Sequence, residues 1–254
     1  MGSVLSVKDL SLKVDNRKLF SNVTFEISNG DVLLLSGANG IGKSSLLKSL
    51  LRLDMRSKTL TGEIVYNENE NVLSLGRDEL QQYRAKVAYI QQSDEYKAMG
   101  NIRVRDIISE SNIASSGHSL SNSQVNELID QWIPRRNDNT RVFDANSKPN
   151  SFSGGEARLL SVLSVIVTRS SAKLMIIDEP LNNLDFNNAK NISNMINKVR
   201  KDNPQMGIIM VSHCRIFPFV SRELVLSADG VSDVQSPYSC HSCIGIPDCN
   251  GFYG

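Results

Sequence analysis

The sequence predicts an α/β fold organised around a parallel sheet, and three observations predict it. Compact apolar runs recur at Asp31-Val32-Leu33-Leu34-Leu35, Lys173-Leu174-Met175-Ile176-Ile177 and Gly207-Ile208-Ile209-Met210-Val211. Uninterrupted runs of this length suit strands covered on both faces. The first run meets a glycine-rich turn, Gly37-Ala38-Asn39-Gly40-Ile41-Gly42-Lys43-Ser44, and then a helical pattern over Ser45-Leu46-Leu47-Lys48-Ser49-Leu50-Leu51. The second run ends in two carboxylates, Asp178-Glu179, at the kind of strand edge where α/β sheets hold their ligands.

Taken in chain order, Leu5 to Ile27 alternates through Val7, Leu10, Leu12 and Val14, then Val23, Phe25 and Ile27, with Asp15-Asn16 between. This predicts two antiparallel strands and a small antiparallel β subdomain beside the parallel core. Gly62-Glu63-Ile64-Val65-Tyr66 and Val87-Ala88-Tyr89-Ile90 are two further strand candidates. From Ser93 the chain turns polar, rich in Asn and Ser, with helical patterns at Val104-Ile107-Ile108 and Val125-Leu128-Ile129-Trp132-Ile133. A helical subdomain over about 93–165 is therefore expected to be inserted in a domain covering 1–235. Leu159 to Val167 opens a helix with a buried side, and strands around Glu223-Leu224-Val225-Leu226 and Val231–Val234 flank Asp229-Gly230 as hairpin chemistry. A cysteine-containing tail, 236–254, closes the chain, and no internal repeat is visible.

The glycine turn fits G-x-x-x-x-G-K-[ST] in its strand–turn–helix context, the arrangement of a phosphate-binding P-loop. Gly37, Asn39, Gly40, Gly42 and Ser45 belong to a cradle of backbone N–H groups, and the helix N-terminus adds its positive dipole end. Lys43 is placed to reach the β- and γ-phosphates of a nucleotide, and the Ser44 hydroxyl to help hold Mg²⁺. Asp178 then faces the hydrated Mg²⁺ opposite Ser44. Glu179, one residue on, can orient or deprotonate an attacking water.

Bulk composition restricts the partners. The 254 residues carry 28 basic and 27 acidic side chains for a net charge of +1, which argues against a general electrostatic grip on nucleic acid. No apolar run approaches the ~18 residues of a membrane span, and no secretory signal is visible, so a cytoplasmic protein is expected. Met1-Gly2-Ser3-Val4-Leu5-Ser6 formally matches a myristoylation pattern, a short match that is common by chance.

Phe152-Ser153-Gly154-Gly155-Glu156, between the helical insert and Asp178, resembles the LSGGQ signature of the ABC ATPase superfamily. The resemblance covers about Leu5 to Val234 and implies a P-loop, RecA-like core. It implies that two such domains meet head to tail, the Ser153, Gly154 and Gly155 of each covering the γ-phosphate of ATP held by the other. The signature is expected to be a second nest of backbone donors preceding a helix from Ala157. Gln92 resembles the glutamine that senses metal and γ-phosphate, with Gln91 as an alternative. Asp185, in Leu181-Asn182-Asn183-Leu184-Asp185, resembles the residue that communicates across the dimer, and His213 the switch histidine that contacts the γ-phosphate. Three positions depart from the family pattern. Val14 stands at the register of the aromatic ring on which adenine stacks, a loss expected to cost about 1 kcal/mol of affinity or somewhat more. Glu156 replaces a glutamine and adds negative charge near the nucleotide, and Ile41 stands where a small residue is usual.

The resemblance implies an ATP- and Mg²⁺-dependent ATPase subunit, as a homo- or heterodimer, driving a separately encoded integral membrane permease at the cytoplasmic face of a membrane. The permease's coupling helix is expected near Gln92 and the segment from Tyr96 to Ile108. The alternative is a soluble, non-transport ABC ATPase, such as one serving iron–sulfur cluster assembly. That group shares the Phe152, Glu156 and Val14 features, but the stretch from Asp178 to Asp185 looks more like the transporter form. Of four cysteines, Cys214 follows His213 and is expected to be a packing residue; Cys240, Cys243 and Cys249 with His241 could ligate zinc or a cluster, the alternative being a disordered or partner-docking tail.

Overall fold

The computed structural model describes residues 2–15, 17–92, 96, 101–109, 117–182, 184–213 and 216–234. They fall into two compact units. The first comprises the chain up to Val87, Ala172–Glu179 and the chain from Pro204; the second comprises Ala88–Ser171 and Pro180–Asn203.

In the first unit, strands β1 (Ser3–Val14) and β2 (Arg17–Ser28) form an antiparallel pair. With β4 (Lys58–Tyr66) and β5 (Glu70–Asn71) they make a sheet of order β2-β1-β4-β5. Val7 and Leu10 are three residues apart, yet both are fully buried. Pairing explains it: Val7 faces Phe25 and Leu10 faces Val23, so β1 carries one extra residue there. Asp9, with φ +48°, sits in this bulge and restores the inward face. Strand β4 begins at Lys58 rather than Gly62, because Lys58, Thr59 and Leu60 pair with Val14, Lys13 and Leu12. Tertiary pairing makes that strand, and local alternation does not.

The second sheet of this unit runs in the order β10-β9-β3-β8-β7. Its parallel centre is β3 (Val32–Ser36) against β8 (Gly207–Val211), with β7 (Leu174–Asp178) beyond β8 and β9 (Arg222–Ser227) beyond β3. Every residue of β7 and β8 is buried, as their unbroken apolar runs require. β10 (Gly230–Asp233) closes the edge antiparallel to β9, with Ala228-Asp229 as the turn between Ser227 and Gly230. The ends of β3, β7 and β8 lie along one sheet edge.

Helix α1 (Lys43–Leu50) follows β3, and α2 (Arg77–Ala85), a helix the sequence reading did not anticipate, fixes its far end. The last carbonyls of a helix have no partner within it. Here Tyr83 Oη donates to Leu50 O at 2.9 Å, Arg84 Nε to Leu51 O at 2.8 Å and Arg84 Nη2 to Arg52 O at 2.6 Å. Tyr83 is fully buried and meets the Tyr66 ring edge-on with centroids 5.2 Å apart. Burial pushes its hydroxyl well above the usual phenol range, so it remains a donor.

The second unit opens at Ala88 within β6 (Val87–Ile90), continues through helical residues 104–109 and α3 (Asn122–Trp132), and is built on α4 (Gly154–Thr168). Ala157, Leu159, Leu160, Val162, Leu163 and Ile166 of α4 are all buried, which marks it as an interior helix. α5 (Phe186–Asp202) is joined to α3 by Lys198, whose ammonium donates to Gln131 O at 3.0 Å and lies 4.2 Å from the Trp132 ring centre. Arg158 of α4 is 2% exposed. Its Nε donates to Pro180 O at 2.9 Å and its Nη1 to Gln91 O. One buried guanidinium thus ties α4 to two separate chain segments.

Tyr83→Phe leaves the Leu50 carbonyl without its donor in a dry setting and should lower stability by about 1–2 kcal/mol, read from the denaturant midpoint. Arg158→Met strips the donor from two carbonyls and should cost about 2–3 kcal/mol by the same measurement; an unchanged midpoint would remove Arg158 from this role.

Candidate functional site

The turn from β3 to α1 is shaped by glycine. Gly37, Gly40 and Gly42 have φ values of +141°, +77° and +108°. Gly42 is the N-cap of α1 in the left-handed region, and a Cβ there would meet Leu19 Cγ and Cδ2 at 3.0 Å. Any other residue would be both strained and crowded. No side chain caps the helix. The N–H groups of Lys43, Ser44 and Ser45, its first turn, are therefore donors without intrahelical partners, the arrangement that receives anions. Asn39 lies exposed in the turn. Lys43, 9% exposed, folds back over it, and its ammonium donates to Gly37 O at 2.9 Å and Ala38 O at 3.1 Å.

Opposite this turn, the ends of β7 and β8 supply the acidic half. Ser44 Oγ donates to Asp178 Oδ1 at 2.8 Å, and Asp178 is 1% exposed. A hydroxyl and a carboxylate are hard oxygen donors, the set that suits Mg²⁺. Glu179 leaves β7 with φ +48°, its N–H donating to Val211 O at 2.9 Å. Its carboxylate is held from β8: Oε2 accepts from His213 N at 3.4 Å, and Oε1 lies 3.0 Å from His213 Nε2. The His213 side chain is 60% exposed while that of Glu179 is 8%. The imidazole therefore caps a nearly buried acid on its solvent side. The structure brings together Lys43, Ser44, Ser45, Asp178, Glu179 and His213 on one sheet edge.

A cavity of about 690 Å³ adjoins the glycine turn, lined by Val14, Arg17, Lys18 and Leu19 together with Gly40 and Ile41. Val14 thus stands in this cavity, and the flat ring expected at its register is replaced by an aliphatic side chain. Lys18 is paired with Asp229 at 2.7 Å.

Gln92 and the signature residues belong to the second unit. Gln92 is exposed and follows Gln91, whose carbonyl Arg158 holds. The signature does not precede a helix from Ala157 but starts one: Ser153 is the N-cap of α4, and Gly154, Gly155 and Glu156 form its first turn. The reason is a capping box in which Ser153 Oγ accepts from Glu156 N at 3.2 Å and Glu156 Oε2 from Ser153 N at 2.9 Å. A Cβ on Gly155 would overlap Asn188 Nδ2 and meet Asn188 Cγ at 2.8 Å. Asn188 in turn donates through its backbone N–H and its side chain to Asp185, the N-cap of α5, at 2.9 and 2.6 Å. These bonds, the backbone N–H first, hold the Asp185 carboxyl below the usual range. Asn188 and Arg158 carry no motif of their own; each is found by what its side chain touches.

Cys214 and the tail cysteines Cys240, Cys243 and Cys249, with His241, lie outside the described residues. Among those described, no group of three or more His, Cys, Asp or Glu is placed to hold a metal, and no helix is long and apolar enough to cross a membrane.

Comparison with known proteins bears on this site. The family described as "ABC transporter" matches residues 20–182. The probable ABC transporter ATP-binding protein p29 of Mesomycoplasma hyorhinis is 27% identical over 214 residues, spanning 82% of this chain and 81% of that protein. The energy-coupling factor transporter ATP-binding protein EcfA1 of Staphylococcus aureus is 24% identical over 213 residues, 83% of this chain and 73% of its own length. The dimeric structure of a bacterial ABC transporter cassette shares the fold, with a TM-score of 0.72 at 19% identity over 91% of this chain and 99% of that one. With well over half its length matched, this chain belongs to the ABC transporter family, among the ATP-binding proteins whose α/β cassettes bind and hydrolyse ATP.

Proposed function

We propose that this chain is the ATP-hydrolysing subunit of a membrane transporter, acting as a head-to-tail dimer at the cytoplasmic face of a membrane on a separately encoded permease. The observation that carries this reading is the meeting of Ser44 and Asp178, 134 positions apart, at 2.8 Å. A phosphate turn and a strand-end acid are joined there, next to Glu179 and His213. The relatives named as transporter ATP-binding proteins support the transport setting, and the likeness to a dimeric cassette supports the pairing.

In this reading Lys43 gives up the carbonyls of Gly37 and Ala38 for the β- and γ-phosphates of ATP, while the N–H groups of Asn39, Gly40, Gly42, Lys43, Ser44 and Ser45 donate to phosphate oxygens. Ser44 and Asp178 would hold Mg²⁺, which when bound offsets charge on the phosphates; Gln92 would take the metal- and γ-phosphate-sensing role that the family resemblance implies. Glu179 takes the proton from the attacking water. His213 fixes that carboxylate and meets the γ-phosphate. Ser153, Gly154 and Gly155 of a second copy or a related subunit close over the same phosphate, and Asp185 communicates across the junction. Closure around ATP is the two-state element that converts γ-phosphate contacts into movement of the permease.

Glu179→Gln should lower phosphate release by about 10²-fold or more while Mg·ATP still binds, so that an ATP-bound dimer accumulates on size exclusion. Undiminished turnover would take Glu179 out of the mechanism. Purification of the full chain from detergent-solubilised membranes of its native cell should bring down an integral membrane protein in stoichiometric amount. Recovery only from the soluble fraction, with cluster-assembly proteins, would replace transport with the non-transport reading.

A further inference from the structure

Arg136, in the loop between α3 and α4, is anchored before its side chain is considered. Its N–H donates to Thr140 O at 2.9 Å and its carbonyl accepts from Asn139 N at 2.9 Å, closing a turn in which Asn139 has φ +65°. The neighbouring arginines fasten the same loop to α3. Arg135 Nη2 donates to Asp130 Oδ2 at 2.9 Å, and Arg141 grips Asp130 through Nε at 2.9 Å and Nη2 at 2.7 Å. Further along, Phe143 stacks on Phe152 with centroids 5.2 Å apart, which brings the loop against the residue preceding Ser153.

From this platform the Arg136 guanidinium donates to three oxygens. Nη1 reaches Arg141 O at 3.1 Å, and Nη2 reaches Val142 O at 3.0 Å and Glu156 Oε1 at 2.6 Å. The second oxygen of Glu156 accepts from Ser153 N at 2.9 Å. A continuous chain therefore runs from the clasped loop through guanidinium and carboxylate to the signature serine. Glu156 alone would suit the helix N-terminus and its dipole. It would not suit an incoming triphosphate, which a carboxylate in the same helical turn repels. The charge-assisted bond to Arg136 removes that conflict and leaves the capping box intact.

We propose that Arg136 is a positioning residue for nucleotide-driven closure: it neutralises Glu156 and thereby presents Ser153 to the γ-phosphate held by a partner subunit. The inference rests on the head-to-tail reading above. It explains how a signature ending in glutamate can serve an anion site, and it makes the pair Arg136–Glu156 a unit in place of a single glutamine. The two side chains are 47% and 22% exposed, so the pair contributes little to stability, and its loss should move Tm by no more than about 2 °C.

The test uses the full chain in the Glu179→Gln background, with the dimer fraction followed by size exclusion with light scattering against Mg·ATP concentration. Adding Arg136→Ala should raise the Mg·ATP needed for half-dimerisation about tenfold, with Tm held. Adding Glu156→Gln to that variant should bring it back to within about threefold of Glu156→Gln alone, because the charge that required Arg136 has gone. Arg136→Lys, which keeps the charge, should stay within about threefold of the parent and serves if the alanine variant does not fold. Equal Mg·ATP requirements for parent and Arg136→Ala, no recovery with Glu156→Gln, or a tenfold loss in Arg136→Lys would each overturn the proposal. A Glu179→Gln parent that dimerises neither alone nor with a related ATPase subunit purified with it would instead overturn the head-to-tail reading, and the role of Arg136 would fall with it.

Discussion

The bond from Ser44 to Asp178 is the constraint on which the rest of the first unit turns. It joins the first turn of α1 to the end of β7, two elements that the sheet keeps apart, since β8 runs between β3 and β7. The strand that separates them ends at Val211, so His213 is delivered to the same edge. At its other end α1 is held by Tyr83 and Arg84 through the carbonyls of Leu50, Leu51 and Arg52. A helix of eight residues is marginal alone. Polar clamps at both termini, and Leu46, Leu47 and Leu50 buried between them, give it a fixed place.

The second unit solves a different problem by the same means. Its signature turn is the start of α4, and the side chains around that start are linked: Ser153 with Glu156, Glu156 with Arg136, and Asn188 between Gly155 and Asp185. The glycines permit close approach, and the capping box sets direction. Arg158, one turn further in, binds the carbonyls of Gln91 and Pro180. These residues precede Gln92 and follow Glu179 in the chain.

Where the chemistry is local, the sequence was a sufficient guide. The P-loop pattern, the strand-end pair Asp178-Glu179 and the three apolar runs each describe a single element and its flanks, and the α/β fold followed from them. The bulge at Asp9, the extension of β4 back to Lys58 and the whole of α2 depend on partners distant in the chain. Arg77–Ala85 has only Tyr83 buried, so it shows no apolar stripe for a periodicity argument to find. The first turn of α4 reads from the sequence as a turn outside the helix because Gly154-Gly155 is poor helix chemistry taken alone. The Ser153–Glu156 spacing was the available signal, as a capping box. Arg136 and Asn188 were illegible for a plainer reason: an arginine or an asparagine in a polar loop or helix is commonplace until its neighbours are known.

Glu179 holds a backbone conformation that a glycine would adopt without penalty and that costs an ordinary residue about 1–2 kcal/mol. Neither glycine nor asparagine, the two replacements that would relieve it, can accept a proton at pH 7. With Glu179 as the proposed base, the cassette carries a local strain because proton transfer requires a carboxylate there. Sequences drifting under selection for stability alone would lose the acid at this corner before they lost the fold.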